Sequence, residues 1–398
     1  MGGEKAGRRE KGSAGLRKLA VASLKPGMVV ARAIYSADGQ VLLNQGVVLK
    51  PSYIIRLKEL GVPAVYIRDE LLGDLEVEDI VSEQTRLAAV KAVRELFGNY
   101  QGRGKGHVPL LVDSARIQRI VSSLLDDLLD RKELMVNLTD IRTLDDYTFA
   151  HSVNVCILAL VTGLTLRYSR EALLHLGVGA LLHDIGKTCV PLHILNKPGK
   201  LTMEEYELVC RHAQCGFDIL RMQKEVSLVS ARVALEHHER YNGSGYPQGL
   251  KGQEIHEFAR ITGVVDVYDA LTADRVYRRA YPPHEAYEML AGSGNFTHDF
   301  EIVKAFLTNV AAYPVGTVVQ LNSGDVGVVT GTARGHSHRP RVRLLYRPSG
   351  EPYGEQLTLD LAVEMDYYIS HILPAEDLPS LTCKLQVAEG DKKGYRVL

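Results

Sequence analysis

The sequence predicts a multidomain protein, with an all-helical central domain between a small α/β module and a small β domain. Three observations lead there. From Ser114 onward apolar residues recur at helical spacing, as in Ile117, Ile120, Val121, Leu124, Leu125 and Leu128, which marks one face of a helix. Ahead of that stretch, short β-rich runs alternate with Gly and Asp-Gly turns. Beyond Tyr313 the composition shifts to alternating strands on either side of Asn322-Ser323-Gly324-Asp325, a hairpin turn.

Taken in order, residues 1–18 are basic, lack the apolar core of a signal peptide, and read as a flexible tail. Residues 19–76 form the α/β module. VVARAIY and VLLNQGVVL read as strands flanking Ala37-Asp38-Gly39. PSYIIRLKELG reads as a helix ended by Gly61, and VPAVYIRD as another strand. Residues 77–112 read as a helix, with Val81, Leu87, Val90, Val93 and Leu96 in phase, running into a Gly-rich linker. The helical domain spans 113–312, and Thr202 with Glu205 makes a capping box that opens the helix carrying His212. Residues 313–373 form the β domain, with PRVRLLY as its third strand, and 374–398 a polar tail.

The net formal charge of −1 gives no global attraction to nucleic acid or an anionic membrane surface, so any affinity for phosphate must be local. No apolar run approaches the roughly 20 residues that cross a bilayer. The five cysteines form no CxxC pair and are odd in number, which fits a reducing cytoplasm better than a disulfide scaffold. The sequence therefore predicts a cytoplasmic location, with no nucleic-acid polymer and no membrane as partner.

The chemistry lies in the helical middle. Residues 236–247 read EHHERYNGSGYP. Adjacent residues on a helix point about 100° apart, so His237 and His238 are poor partners on one core face. With His151, His183, Asp184, His212 and Asp266 they make an ordered set of imidazoles and carboxylates, donors that suit Mn, Fe or Zn. Seven such groups exceed the needs of one tetrahedral ion, so two ions are the simpler expectation. His183-Asp184 and Asp266 each follow an apolar run, where an unpaired carboxylate is costly to bury.

LLHDIGK resembles the signature of the HD superfamily of metal-dependent phosphohydrolases, and HHERYNGSGYPQGLKG resembles that of its HD-GYP branch, with Gly245, Tyr246 and Pro247 as the tripeptide. VVDVYDALTADRVYRRAY looks like the branch's next block, and the resemblance covers roughly residues 140–312. It implies an HD-type helical core that hydrolyses cyclic di-GMP to pGpG, GMP or both, through a hydroxide activated at a binuclear site. It implies metal ligands at His151, His183, Asp184, His212, His237, His238 and Asp266, with Asp184 bridging two divalent ions (Fe or Mn first, Zn next). Asp184 and Lys187 would be the catalytic pair. Lys187, Gly245, Tyr246, Pro247, Arg275 and Arg278 would contact substrate, and Asp269 would orient a ligand histidine. Some relatives hold a third metal with a glutamate four residues before the first histidine. Here Tyr147 stands there, with Asp146 out of register, so two ions are expected.

Two further readings are a cyclic di-GMP receptor of low turnover and a phosphodiesterase for a related cyclic dinucleotide. The flanking modules hold no catalytic groups and are candidates for a protein partner, and the helix near 114–130 for a homodimer contact.

Overall fold

The computed structural model describes residues 15–35, 41–60, 62, 64–69, 75, 79–98, 112–131, 134–136, 147–273 and 280–373. The chain starts with β1 (Gly15–Ala20), β2 (Ile34–Tyr35), β3 (Val41–Leu43), α1 (Pro51–Glu59) and β4 (Ala64–Asp69). β1 pairs antiparallel with β4, and β2 with β3. Proline at the start of α1 suits a position whose N–H has no helical partner.

β1 corrects the expected tail, since residues 15–18 belong to a strand. Arg17 reaches across the ladder to Asp69 at 2.6 Å, with both side chains largely buried, and Leu19 enters the core. A charge that reads as solvated in sequence is paired here. VVARAIY is also less regular than expected. Only Ile34–Tyr35 is a strand, while Val29 and Val30 make isolated bridges to Val48 and Ile67. The turn at 37–39 and Gly61 lie outside the described residues.

The helices follow: α2 (Glu83–Gly98), α3 (Ser114–Leu129), α4 (Tyr147–Thr165), α5 (Arg170–Leu181), α6 (Leu192–Leu195), α7 (Met203–Cys210), α8 (His212–Arg221), α9 (Leu228–Glu236), α10 (Glu257–Thr272), α11 (Pro283–Ala291) and α12 (Phe300–Leu307). Local sequence starts many of them. Asp113, Ser169 and Ser227 accept the N–H of Arg116, Ala172 and Ser230 at the starts of α3, α5 and α9, each cap contributing about 1 kcal/mol. The Thr202–Glu205 capping box is present with both bonds. It opens α7, however, and His212 begins α8 instead, because the helix is interrupted by a turn at Arg211.

α4 is apolar on nearly every side, and residues 151–163 are all buried, as expected of a helix at the centre of a bundle. α5 and α10 pack on it with Leu176, Ile261, Val264 and Val265, and α9 packs on α5 with Val233. α2 is the helix expected within 77–112, beginning at Glu83. Ala89, Val93, Leu96 and Phe97 are buried in the same core, with the Phe97 ring 6.0 Å from that of Phe149. An amphipathic helix of 16 residues has a face to bury, and that face decides its place. The α3 stripe likewise faces the core, with Val121, Leu124 and Leu125 fully buried. The stripe that suggested a homodimer contact is therefore covered by this chain's own core.

The C-terminal strands are β5 (Val318–Leu321), β6 (Val326–Gly331), β7 (Arg341–Tyr346), β8 (Thr358–Asp360) and β9 (Ile369–Ile372). They form one antiparallel sheet in the order β8-β7-β6-β5-β9. The expected hairpin turn is in place. β8 and β9 have no sequence signal, because they are short and mostly solvent-facing.

Residues 79–138 and 144–312 make one compact unit. The second gathers the N-terminal stretch to residue 78 with the chain from Tyr313 onward. Leu75 packs on Val328 within it, so the two flanking modules share a body where the sequence suggested separate ones. No helix among the described residues is long and apolar enough to cross a membrane.

Candidate metal centre

Five elements of the helical unit converge on one point. α4 brings His151, the turn after α5 brings His183 and Asp184, and α8 begins at His212. The end of α9 brings His237 and His238, and α10 brings Asp266. Between Asp184 and α8 lies the tight turn Ile185–Cys189. A Cβ on Gly186 would stand 1.9 Å from the His212 carbonyl oxygen and 2.5 Å from the Gly216 nitrogen. Only glycine lets the backbone carrying Asp184 press on the helix carrying His212. Gly186→Ala is thus expected to destabilise by at least about 3 kcal/mol, the upper end for overpacking, and to lower metal content. Thermal melting and metal analysis of the variant check this.

Asp184 is at the centre, 1% exposed. Its Oδ1 faces His212 Nε2 at 3.6 Å and His237 Nε2 at 3.9 Å. Its Oδ2 faces His183 Nε2 at 3.3 Å and His151 Nε2 at 3.9 Å. Asp266 Oδ1 lies 3.1 Å from His151 Nε2 and 4.0 Å from His183 Nε2. Two groups of donors result, Asp184 with His212, His237 and His238, and His151 with His183 and Asp266. One carboxylate faces both.

The ring orientations are fixed from behind. His183 Nδ1 bonds to the Ala180 carbonyl at 2.8 Å, His212 Nδ1 to Val209 at 2.6 Å, and His237 Nδ1 to Ala234 at 3.0 Å. Each Nδ1 donates outward, which leaves the Nε2 lone pair aimed inward. His183 Nε2, His212 Nε2, His237 Nε2 and Asp184 Oδ1 are buried without a hydrogen-bond partner. Atoms left this way cost about 1–3 kcal/mol each, and a divalent cation would satisfy all of them. The donor set fits such an ion.

Charge follows the same logic. Burial disfavours ionised Asp184, yet Lys187 and His183 beside it hold the carboxyl well below the usual range. The Lys187 Nζ lies 2.5 Å from its Oδ2. Burial pushes His212 and His237 down, and His238 down to about 3, so their lone pairs are free at neutral pH. His151 goes the other way. Burial lowers it, but bonds to Asp266 and Asp269 outweigh burial and raise it to about 9.

A fold of packed helices with paired His and Asp ligands matches what comparison with protein-family models finds, an HD domain over residues 123–299. Residues 123–299 are thus similar to the HD domain family. A second model, a KOW domain associated with HD domain, matches residues 318–381. Among curated relatives, a cyclic di-GMP phosphodiesterase of Pseudomonas aeruginosa is 38% identical over 63% of this chain and 60% of its own length. A cyclic di-GMP phosphodiesterase of Thermotoga maritima is 43% identical over 32% of this chain and 35% of its own. A 3'3'-cGAMP-specific phosphodiesterase of Vibrio cholerae is 36% identical over 54% of this chain and 43% of its own. The chain thus spans less than two thirds of the length of each.

Around this centre the supporting network was largely illegible in the sequence. Asp269 accepts from His151 Nδ1 at 2.7 Å and from Asn154 at 3.2 Å, and Asn154 in turn accepts from Arg86 on α2 at 2.7 Å. Asp269 was the one member with a signal, its i+3 spacing from Asp266. Asn154 and Arg86 had none, because the pairing joins residues far apart in the chain. Since such partners fix ligand orientation, Asp269→Asn is expected to weaken metal affinity by about 10- to 100-fold with the fold retained. Metal titration beside a thermal melt measures this.

The Gly-Tyr-Pro loop packs beside the candidate centre. Tyr246 lies with its ring 4.8 Å from His238, and its N–H donates to the His238 carbonyl at 3.3 Å. A Cβ on Gly245 would come within 2.3 Å of the Arg240 nitrogen, so the turn folds directly on the histidine segment. Pro247 follows through a cis peptide bond. Buried Glu239, missed in the sequence, accepts the N–H groups of Gln248, Gly249 and Leu250 at 2.6, 3.1 and 3.0 Å and ties down the returning strand of the loop.

Arg275, Arg278 and Asp146 lie outside the described residues, as does the side chain of Tyr147. The cysteine reading needs a correction. Cys189, at the end of the turn after Lys187, is joined in a disulfide to Cys215 on α8. Spacing gave no sign of it, since the pair bridges two elements 26 residues apart. Cys156 and Cys210 are free.

Proposed function

We propose that this chain is a metal-dependent phosphodiesterase that hydrolyses cyclic di-GMP to pGpG, GMP or both. One observation carries the reading most directly, namely that the two carboxylate oxygens of Asp184 face two separate groups of ligand atoms. His212, His237 and His238 would hold one divalent ion, His151, His183 and Asp266 the other, with Asp184 shared. Bound there, Fe or Mn ions would supply Lewis acidity toward phosphoryl oxygens and make water a usable nucleophile at neutral pH.

The chain's own groups do the rest. Neutral His212, His237 and His238 keep their lone pairs for coordination. Asp269 fixes the His151 ring, and Asn154 and Arg86 fix Asp269. Lys187, about one third exposed and beside Asp184, places a cation where charge develops on the phosphate or the leaving oxygen. Tyr246, Gly245 and Pro247 form a wall against which the nucleotide rests, and Arg275 and Arg278 suit its second phosphate.

The sequence likeness to cyclic di-GMP phosphodiesterases supports the substrate, and the likeness to a 3'3'-cGAMP-specific enzyme supports the wider class of cyclic dinucleotides. A receptor of low turnover would not need an intact ligand set with Lys187 beside it. The test is product analysis with metal-loaded protein offered cyclic di-GMP and 3'3'-cGAMP in parallel. Preferential appearance of pGpG or GMP is expected. Tight binding of cyclic di-GMP with no product under Mn or Fe(II) would favour the receptor.

A further inference from the structure

Tyr206 is an aromatic side chain that the ligand set, the glycine-rich loop and the core leave unassigned. It sits on α7, within the capped helix that leads into His212. Its side chain is 48% exposed, so it is not a core residue. Its ring meets Tyr246 edge-on, at 6.3 Å between centroids and 78° between planes. Tyr246 is in turn 4.8 Å from His238 and 6.4 Å from His212. The aromatic series His238, Tyr246, Tyr206 therefore runs outward from the metal ligands to solvent.

A scattered exposed aromatic needs no explanation. Here three things coincide. The ring adjoins the wall of the proposed site, about half of the residue is open to solvent, and it lies outside the ligand sphere, next to the loop against which a nucleotide would rest. Every nucleobase has a π-face, and aromatic side chains bind bases through it with little regard to sequence. Tyrosine does so at low conformational cost, having few rotatable bonds.

We propose that Tyr206 is the stacking platform for a nucleobase of the substrate, a specificity-determining residue that separates nucleotide phosphodiesters from phosphate esters without a base. The inference rests on the nucleotide reading above and deepens it. Tyr206 touches no metal ligand and is a binding residue, so its loss lowers affinity for the base and leaves phosphate recognition alone.

The test is equilibrium binding to the full chain loaded with Mn(II), by calorimetry, with two probes, GMP and inorganic phosphate. Tyr206→Ala is expected to weaken GMP binding by about 5- to 100-fold, the range that alanine substitution at a stacking aromatic gives, and to leave phosphate binding within about twofold. Tyr206→Phe, which keeps the ring, is expected to retain GMP affinity. Unchanged GMP binding in Tyr206→Ala would overturn the proposal. So would an equal loss for GMP and phosphate, which is the mark of a packing role, or a wild-type protein that binds GMP no better than phosphate. The measurement requires no turnover. A protein that shows base-dependent binding but does not hydrolyse cyclic di-GMP overturns the catalytic reading and leaves the platform standing.

Discussion

Asp184→Ala is expected to abolish cyclic di-GMP hydrolysis, by on the order of 10³-fold or more, and to empty the centre of metal. Loss of a residue that only orients a ligand costs about 10- to 100-fold, whereas this carboxylate faces both ligand groups itself. No neighbour can replace it. Asp266 faces only the group formed with His151 and His183. The fold should survive, because Lys187, the partner left behind, is 29% exposed and can turn its ammonium into water. A melting temperature close to wild type, with metal content near zero and no product, is the expected combination. Asp184→Asn keeps the shape and loses the charge, and should behave alike.

Metal removal carries the second large effect. The buried ligand atoms without hydrogen-bond partners give the folded state its affinity for cations, and binding to that state alone stabilises by about 4 kcal/mol at a thousandfold excess over Kd. At about 2–4 °C per kcal/mol for a domain of this class, chelation should lower the melting temperature by roughly 8–16 °C per ion lost.

The pH dependence of the metal-free protein has a definite sign. His212, His237 and His238 are held below their ordinary value by burial, with His238 at about 3. They stay neutral in the fold and take up protons on unfolding below about pH 6.5. The unfolded state then binds more protons, so stability falls as pH drops from 6.5 toward 3. His151, raised to about 9, acts oppositely. Its contribution is complete below its unfolded value and is lost as pH rises through about 9. Ligation must also displace its proton, so metal affinity should rise with pH up to about 9. Melting curves with and without chelator across pH test both halves. Identical curves for chelated and loaded protein would contradict the account.

How much of this was legible in the sequence depends on the range of the interactions. The candidate ligands of the site were legible because chemistry fixes their residue types and the motifs keep them in order. The structure brings all seven of them together. The capping box was legible because it is local, although the helix it opens ends at Cys210, two residues before His212. What depends on distant pairing was not. Arg17 read as tail until Asp69 is seen 2.6 Å away. α2 read as a helix, but nothing local marked that its Arg86 braces Asn154 and, through it, Asp269. Glu239 looked like one more charge in a polar loop, and only the folded chain shows three backbone N–H groups on it. Composition gives charge and periodicity, while burial decides whether a charge is solvated or paired.

The central claim is a centre for two ions, joined by Asp184, that hydrolyses cyclic di-GMP. The most direct measurement is metal content per chain of anaerobically purified protein at saturating Mn or Fe(II), taken together with cyclic di-GMP turnover on the same sample. The account predicts about two ions per chain, with pGpG or GMP as product. A single ion at saturation, or two ions with cyclic di-GMP left intact, would contradict it.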